Sequence, residues 1–242
     1  MKELDLLKFY PKSTRKFYFK KRRKLSGGGF INLDRNHFND RDLLIEYSMI
    51  SRAREFGYEY FDGDRMYGYG GYFYKKKYWH KTAKHIIDHY GLESGMTILD
   101  IGCAKGYLLY EIKKINPEIL ISGIDISNYA IENAKEEVVP YLIQGSAHDL
   151  PYESNIFDLV ISINTIDHLD LKYCEKSIHE IERVKKTNAK SFISVNSWRN
   201  EQEKENLTFW NLVSKTIMSV EDWKFFFEKS NYTGDYYWFI AE

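Results

Sequence analysis

The sequence predicts an α/β fold, in which strands and helices alternate along the chain. Residues 97–101 form a short apolar run rich in β-branched side chains, and a turn that contains glycine ends it. Residues 107–114 then repeat apolar side chains at helical spacing, and residues 118–125 form a second strand-like run. Because this alternation continues as far as Val195, we expect one sheet covered by helices.

Further elements are predicted on both sides of this region. They are helices at residues 40–56, 81–90 and 220–229 and an aromatic strand at residues 236–240. A Ser-Gly-Gly-Gly run at residues 26–29 marks a flexible break. We therefore expect an N-terminal extension at residues 1–80, which contains a lid or acceptor-binding part, and a core domain at residues 81–242.

Composition is that of a globular protein. Of the 242 residues, 43% are hydrophobic and 29% are charged, which is enough to bury an α/β core. No apolar run approaches the ~18 residues of a membrane span, so no membrane partner is expected. Cys103 and Cys174 do not have the spacing of metal ligands, and they follow no secretory signal. His85 and His89 are four residues apart, as two metal ligands on a helix can be, but this spacing is common by chance. We predict a cytoplasmic protein that binds no metal.

Charge is distributed unevenly along the chain. Residues 1–24 contain ten basic and two acidic side chains, whereas the whole chain is neutral. The basic run at residues 20–24, next to Phe17, Tyr18 and Phe19, is also typical of a nucleic-acid-binding arm. Because the rest of the chain is acidic and has no second basic stripe, we expect a solvated surface segment and no nucleic-acid partner.

The turn after the first strand has the features of a cofactor-binding loop. Small residues at Gly102, Ala104 and Gly106 allow a ligand to approach the backbone closely, and the amides that open the next helix favour a negatively charged group. Asp125 ends the second strand, where a carboxylate can accept hydrogen bonds from both hydroxyls of a ribose. Asp100 precedes the turn, where it would repel a pyrophosphate but suits an ammonium group. These residues predict a nucleotide-like cofactor.

The chain contains four motifs in the same order as a known protein family, and this order makes the resemblance to that family specific. The sequence reads Asp-Ile-Gly-Cys-Ala-Lys-Gly at 100–106, Gly-Ile-Asp at 123–125, Gly-Ser-Ala-His-Asp-Leu-Pro at 145–151 and Phe-Asp-Leu-Val-Ile-Ser at 157–162. Over residues 96–195 the chain therefore resembles class I S-adenosylmethionine-dependent methyltransferases. The resemblance implies a doubly wound, mostly parallel sheet of seven strands, with S-adenosyl-L-methionine bound across the strand ends.

The resemblance also implies roles for individual residues. The loop and the acid before it would hold the methionine part, the acid after the second strand would hold the ribose, and Ser146 with Ala147 would meet the adenine edge. Ala104 stands where the family has its middle glycine, and an alanine is expected to be tolerated there only if its φ stays negative. Ser146 replaces an acid that is common in the family. The predicted cofactor-binding residues are Asp100, Gly102, Ala104, Gly106, Asp125, Ile126, Ser146, Ala147 and Asn164.

Residues 58–74, which we call the aromatic segment, place four glycines among tyrosines and phenylalanines. The segment resembles a Gly-Asp-Arg-x-x-Gly-Tyr-Gly-Gly-Tyr signature that occurs, with an ending like residues 232–238, in a poorly characterised group of bacterial methyltransferases. We associate that group with sugar and surface-polysaccharide genes. We expect the segment to close over the cofactor and to bind the acceptor; the alternative is an aromatic loop that packs on the sheet edge. The predicted substrate-binding residues are Arg65, Tyr67, Tyr69 and Tyr72.

His168 and Asp167 follow the fourth predicted strand, where side chains face the reacting methyl group in the family that this chain resembles. We predict that they act as catalytic residues, with a general base among them; a structural position at a helix start is the alternative for the histidine.

The predicted function is methyl transfer to a small polar acceptor, such as a sugar or a sugar-derived metabolite. Two alternatives stay open. One is an RNA-directed or protein-directed methyltransferase that uses the basic N-terminal segment, and the other is a regulator that binds the cofactor and transfers no methyl group. The sequence leaves the acceptor, the methylated atom and the oligomeric state open.

Overall fold

The computed structural model describes residues 1–9 and 40–241. The basic run at residues 20–24 and the glycine run at residues 26–29 lie outside the described residues. None of the helices in the described part of the chain is both long enough and apolar enough to cross a membrane.

The helices are α1 (Asp40–Arg54), α2 (Tyr58–Phe61), α3 (Lys76–Tyr90), α4 (Tyr107–Ile115), α5 (Asn128–Glu132), α6 (Leu171–Val184), α7 (Glu201–Trp210) and α8 (Val220–Lys229). Short 3₁₀ helices span Val139–Tyr141 and Ile166–His168. The strands are β1 (Thr97–Ile101), β2 (Leu120–Asp125), β3 (Leu142–Gln144), β4 (Phe157–Ile163), β5 (Lys185–Trp198), β6 (Met218–Ser219) and β7 (Asp235–Ile240).

The strands of the described residues form one seven-stranded sheet. Its order is β3-β2-β1-β4-β5, and both β6 and β7 pair with β5. All these strand pairs are parallel, and Asp100 of β1 lies between Gly123 of β2 and Ile161 of β4. The predicted α/β fold is therefore confirmed. Because β2 and β4 lie on opposite sides of β1, the carboxyl ends of these three strands border a crevice, which is where such sheets bind ligands.

Both faces of the sheet are buried, which explains why its central strands are apolar almost throughout. In β1, Ile98 packs in one core cluster with residues of α3 and α4, whereas Leu99 and Ile101 pack in a second cluster with residues of α6 and α8. A third cluster joins α1, the aromatic segment and residues 212–213, and Ala104 of the loop after β1 packs against it. The N-terminal elements are thereby attached to the crevice.

The start of the chain lies along β7. The Leu4 amide donates to the Tyr236 carbonyl at 2.8 Å, and the Tyr236 amide donates to the Lys2 carbonyl at 3.0 Å. Leu6 and Leu7, each only 2% exposed, belong to the core cluster that contains α3 and α4. The first residues therefore cover the outer edge of the sheet, a pairing that the sequence pattern does not predict.

Candidate active site

A cavity of about 610 Å³ lies at the carboxyl ends of β1, β2 and β4, and this volume falls within the ~300–1,000 Å³ of typical small-molecule sites. Gly106 is the one predicted cofactor-binding residue that does not line it. Gly106 lies immediately before α4 and has a φ of +66°. A Cβ atom at this position would lie 2.9 Å from a methyl group of Val138. The predicted cofactor-binding residues that line the cavity are Asp100, Gly102, Ala104, Asp125, Ile126, Ser146, Ala147 and Asn164.

The loop between β1 and α4 turns through two residues with positive φ before it reaches Gly106. Gly102 has a φ of +79°, and a Cβ there would lie 2.0 Å from the Thr165 hydroxyl, so no side chain fits. Ala104 has a φ of +49°, so the expectation of a negative φ was wrong. Its amide donates to Asp125 Oδ2 at 2.8 Å. This hydrogen bond helps to hold alanine in a left-handed conformation that costs ~1–2 kcal/mol.

Asp125 connects the ends of the first two strands. Besides the Ala104 amide, it accepts the Ser127 amide on Oδ1 at 2.8 Å. Burial raises the pKa of Asp125, and the two amide hydrogen bonds oppose that rise. Each carboxylate oxygen keeps a second lone pair, so Asp125 can still accept hydrogen bonds from two neighbouring hydroxyls of a ligand.

Asp100 is a buried carboxylate that faces the same cavity. It is 4% exposed, and burial, followed by the nearby charge of Asp125, raises its pKa to about 7. No described residue is found to donate a hydrogen bond to it. A buried anion without a donor is costly, and a cationic ligand group would relieve that cost. The ammonium of a bound methionine moiety fits this requirement.

Residues 145–148, which follow β3, line another part of the cavity. The Ser146 hydroxyl lies 2.6 Å from His148 Nδ1, and the His148 ring packs on Tyr173 with centroids 4.3 Å apart. Burial and then the charge of Lys176 lower the pKa of His148, which favours its neutral form. Sequence reasoning did not single out His148, although it lies inside the quoted motif. The part of the cavity that is predicted to meet an adenine edge therefore has an imidazole beside Ser146 whose neutral form is favoured.

The two predicted catalytic residues have different surroundings. His168 lines the cavity, and its ring stacks on Phe56 with centroids 5.8 Å apart and an interplanar angle of 14°. Asp167 is fully buried outside the cavity lining, where Oδ2 accepts hydrogen bonds from Asn196 Nδ2 at 2.5 Å and Ser214 Oγ at 2.7 Å. Asp167 therefore anchors the chain around residue 214 and does not face the cavity as the predicted catalytic residue would.

The aromatic segment contributes part of the cavity wall. Tyr69 and Tyr72 line the cavity, together with Tyr60 and Phe61 of α2. Two other predicted substrate-binding residues do not line it: Arg65 Nη1 donates to the carbonyl of Gly68 at 2.5 Å, and the ring of Tyr67 packs under the Arg52 guanidinium. Arg65 instead holds the turn within the segment.

Asp62 attaches the aromatic segment to the cofactor side of the cavity. Lys105 Nζ and the Tyr129 hydroxyl donate to Asp62 Oδ2 at 2.5 and 2.7 Å, and the Tyr72 amide donates to Oδ1 at 3.0 Å. Burial favours the neutral carboxyl, but these hydrogen bonds outweigh it and hold the pKa of Asp62 below its usual value. Because Lys105 belongs to the loop after β1, the segment and the cofactor loop are linked directly.

Other residues of the cavity wall were missed by sequence reasoning. They come from α1, from the chain after it and from the residues that precede β6, and none belongs to a recognisable motif. No group of three histidine, cysteine or acidic side chains that could hold a metal ion occurs within residues 1–9 and 40–241. The additional wall residues include Tyr47, Arg54, Phe56, Val213 and Lys215.

The fold and the cavity are those of the S-adenosylmethionine-dependent methyltransferase family. The family model described as a methyltransferase domain matches residues 92–235, and the chain belongs to this family. The residues at the cavity fit S-adenosyl-L-methionine, because Asp100 offers an unpaired carboxylate and Asp125 a ribose acceptor. The predicted family and fold are thus confirmed, and S-adenosyl-L-methionine is the cofactor that membership of this family implies.

Several known proteins share this region. The chain is 30% identical to the uncharacterized methyltransferase YdaC of Bacillus subtilis over 45% of this chain and 61% of that protein. It is 31% identical to demethylmenaquinone methyltransferase of Staphylococcus aureus over 36% of this chain and 37% of that protein. The crystal structure of YcgJ from Bacillus subtilis, at 18% identity, superimposes with a TM-score of 0.52 over 62% of this chain and 68% of that one. The matched regions thus cover only part of these relatives.

Proposed function

We propose that this methyltransferase acts on a small polar acceptor, a sugar or a sugar-derived metabolite. The observation that carries the proposal is the continuity of the cavity. One part is formed by the predicted cofactor residues, and it continues to His168 and to the rings of Tyr69 and Tyr72. An acceptor in that second part of the cavity would lie beside the cofactor, and no rearrangement of the strands would be needed.

The aromatic wall suits a compact polar molecule. Tyrosine rings can pack on the apolar C–H face of a sugar, and their hydroxyls can hydrogen-bond at its rim. Closely packed rings, such as Tyr69 on Tyr72 at 4.6 Å, also exclude water from the reacting groups.

His168 is proposed as the general base. When bound, S-adenosyl-L-methionine supplies an electrophilic methyl group. The imidazole of His168 accepts the proton of the acceptor hydroxyl, and stacking on Phe56 fixes the plane of the ring. The RNA-directed or protein-directed alternative depends on the basic N-terminal segment, and its run at residues 20–24 lies outside the described part of the chain.

The test is turnover measured as release of S-adenosylhomocysteine with a panel of sugars and sugar derivatives. We expect at least one of them to be methylated, and His168→Ala to lower kcat by about 10²–10⁴-fold while cofactor affinity changes little. His179→Ala is the matched control, because His179 is an exposed histidine of α6 that does not line the cavity. Equal kcat values for the two variants would assign His168 a structural role.

A further inference from the structure

We propose that the acceptor carries an anionic group, a carboxylate or a phosphate, which Arg54 and Lys215 bind at the His168 end of the cavity. The inference rests on the proposed function, because it names the acceptor class of the same site. Both side chains line the cavity, and neither is used by the predicted cofactor contacts.

Lys215 is held next to His168 by its backbone. The amides of Lys215 and Thr216 both donate to the carbonyl of Asp167 at 3.0 Å, and Asp167 directly precedes His168. The Asp167 carboxylate fixes the same stretch through Ser214. The buried Asp167 thereby positions Lys215 beside the proposed base.

The charge of Lys215 is available to a ligand. Its Nζ lies 3.3 Å from Asp170 Oδ2, and the two side chains are 40% and 61% exposed. An exposed ion pair of this kind is weak. A carboxylate or phosphate in the cavity can therefore compete with Asp170 for the ammonium group.

Arg54 is the second basic residue of the cavity lining. It is the last residue of α1 and lies two residues before Phe56, whose ring stacks on His168. No ion pair of Arg54 with another residue of the described ranges is found. Its planar guanidinium matches a carboxylate or phosphate in a bidentate arrangement. Arg54 is therefore a cation on a ligand cavity for which the described residues provide no ion-pair partner.

The balance of charge at this end of the cavity favours an anion. Arg54 and Lys215 face one cavity-lining acid, Glu55, whereas Asp100 and Asp125 belong to the cofactor part. A carboxylate or phosphate of the acceptor would add to the partial compensation that Glu55 and the weak Asp170 pair give these two cations. An acceptor anchored by its anionic group leaves its hydroxyl free for His168.

The experiment titrates anionic and neutral probes into protein saturated with S-adenosylhomocysteine. Two matched pairs are used, glucuronate with glucose and 4-hydroxybenzoate with 4-hydroxybenzyl alcohol. We expect an anionic member to bind at least about tenfold more tightly than its neutral partner, because a charge-assisted hydrogen bond contributes about that factor or more. Arg54→Gln and Lys215→Gln should each remove most of this preference.

Arg52→Gln is the matched control. Arg52 lies on the same helix and is exposed, but it packs over Tyr67 and does not line the cavity. The Arg52→Gln variant should keep the preference for the anionic probe. In all three variants the affinity for S-adenosylhomocysteine should stay within about twofold of that of the unmodified protein, since the proposed ribose and ammonium contacts are unchanged. The inference is overturned if no anionic probe binds, if both members of each pair bind equally, or if Arg54→Gln behaves like Arg52→Gln.

The same titrations separate this inference from the proposed function. If glucose binds as tightly as glucuronate, the sugar acceptor is supported and the anionic class is refuted. If 4-hydroxybenzoate alone binds and depends on Arg54, the anionic class is supported and the sugar acceptor is refuted.

Discussion

Cofactor affinity should depend on pH through Asp100. The pKa of this carboxyl is raised to about 7 in the free protein, chiefly by burial. A bound ammonium group stabilises the ionised form and lowers that pKa, so ligand binding releases a proton below pH 7. The affinity for the cofactor is therefore highest above pH 7, where Asp100 is mostly ionised, and it decreases as the pH falls. Since about one tenth of the carboxyl is ionised one unit below its pKa, affinity should fall about tenfold, or about 1.4 kcal/mol, between pH 8 and pH 6.

The assay is calorimetric titration with S-adenosylhomocysteine at several pH values, in two buffers of different ionisation enthalpy. The buffer dependence of the heat counts the proton released. Asp100→Asn is the comparison, because titration of the ligand's own groups is common to both proteins. The variant should bind weakly at pH 8 and lose most of the dependence on pH. Equal pH profiles for the two proteins would refute the pairing of Asp100 with an ammonium group.

Two further predictions concern the cofactor loop and the aromatic segment. Asp125→Ala removes the acceptor for the ribose hydroxyls and for the Ala104 amide, and it should weaken S-adenosylhomocysteine binding by about 2 kcal/mol or more; unchanged affinity by calorimetry would contradict the assignment. Hydrogen exchange in residues 58–74 should slow when S-adenosylhomocysteine binds, and Asp62→Asn should reduce this effect because it weakens the link to Lys105. Equal protection with and without the ligand would mean that the segment is fixed edge packing.

The parts of the fold that the sequence predicts well are those defined by local patterns. The strand at 97–101, the turn after it and the helix from Tyr107 depend on neighbouring residues, and the structure has them within a residue of the predicted bounds. The helix predicted at 81–90 begins at Lys76 instead. Its first turn carries lysines and no start signal, and the apolar contact of Trp79 with the core cluster extends it.

The parts of the site that the sequence misses depend on partners distant along the chain. Asp167 follows a strand end, as a catalytic residue would, but its carboxylate is taken up by Asn196 and Ser214. Arg65 has the charge to meet an acceptor, yet a carbonyl within its own turn binds it. Arg54 has no motif around it, and only the packing of α1 places it on the cavity.

The pairing of the first residues with β7 also affects how the chain folds. The Lys2 amide donates to Asp235 Oδ1 across a sequence separation of 233 residues. Closing a flexible loop of that length costs about 5 kcal/mol of chain entropy, by the logarithmic dependence on loop length. The hydrogen bonds of residues 2–4 to β7 can therefore form only after β7 has been made, whereas Leu6 and Leu7 can pack against α3 and α4 before that. The two stages of this docking, apolar packing on the helices and backbone pairing with β7, are thereby separated in time.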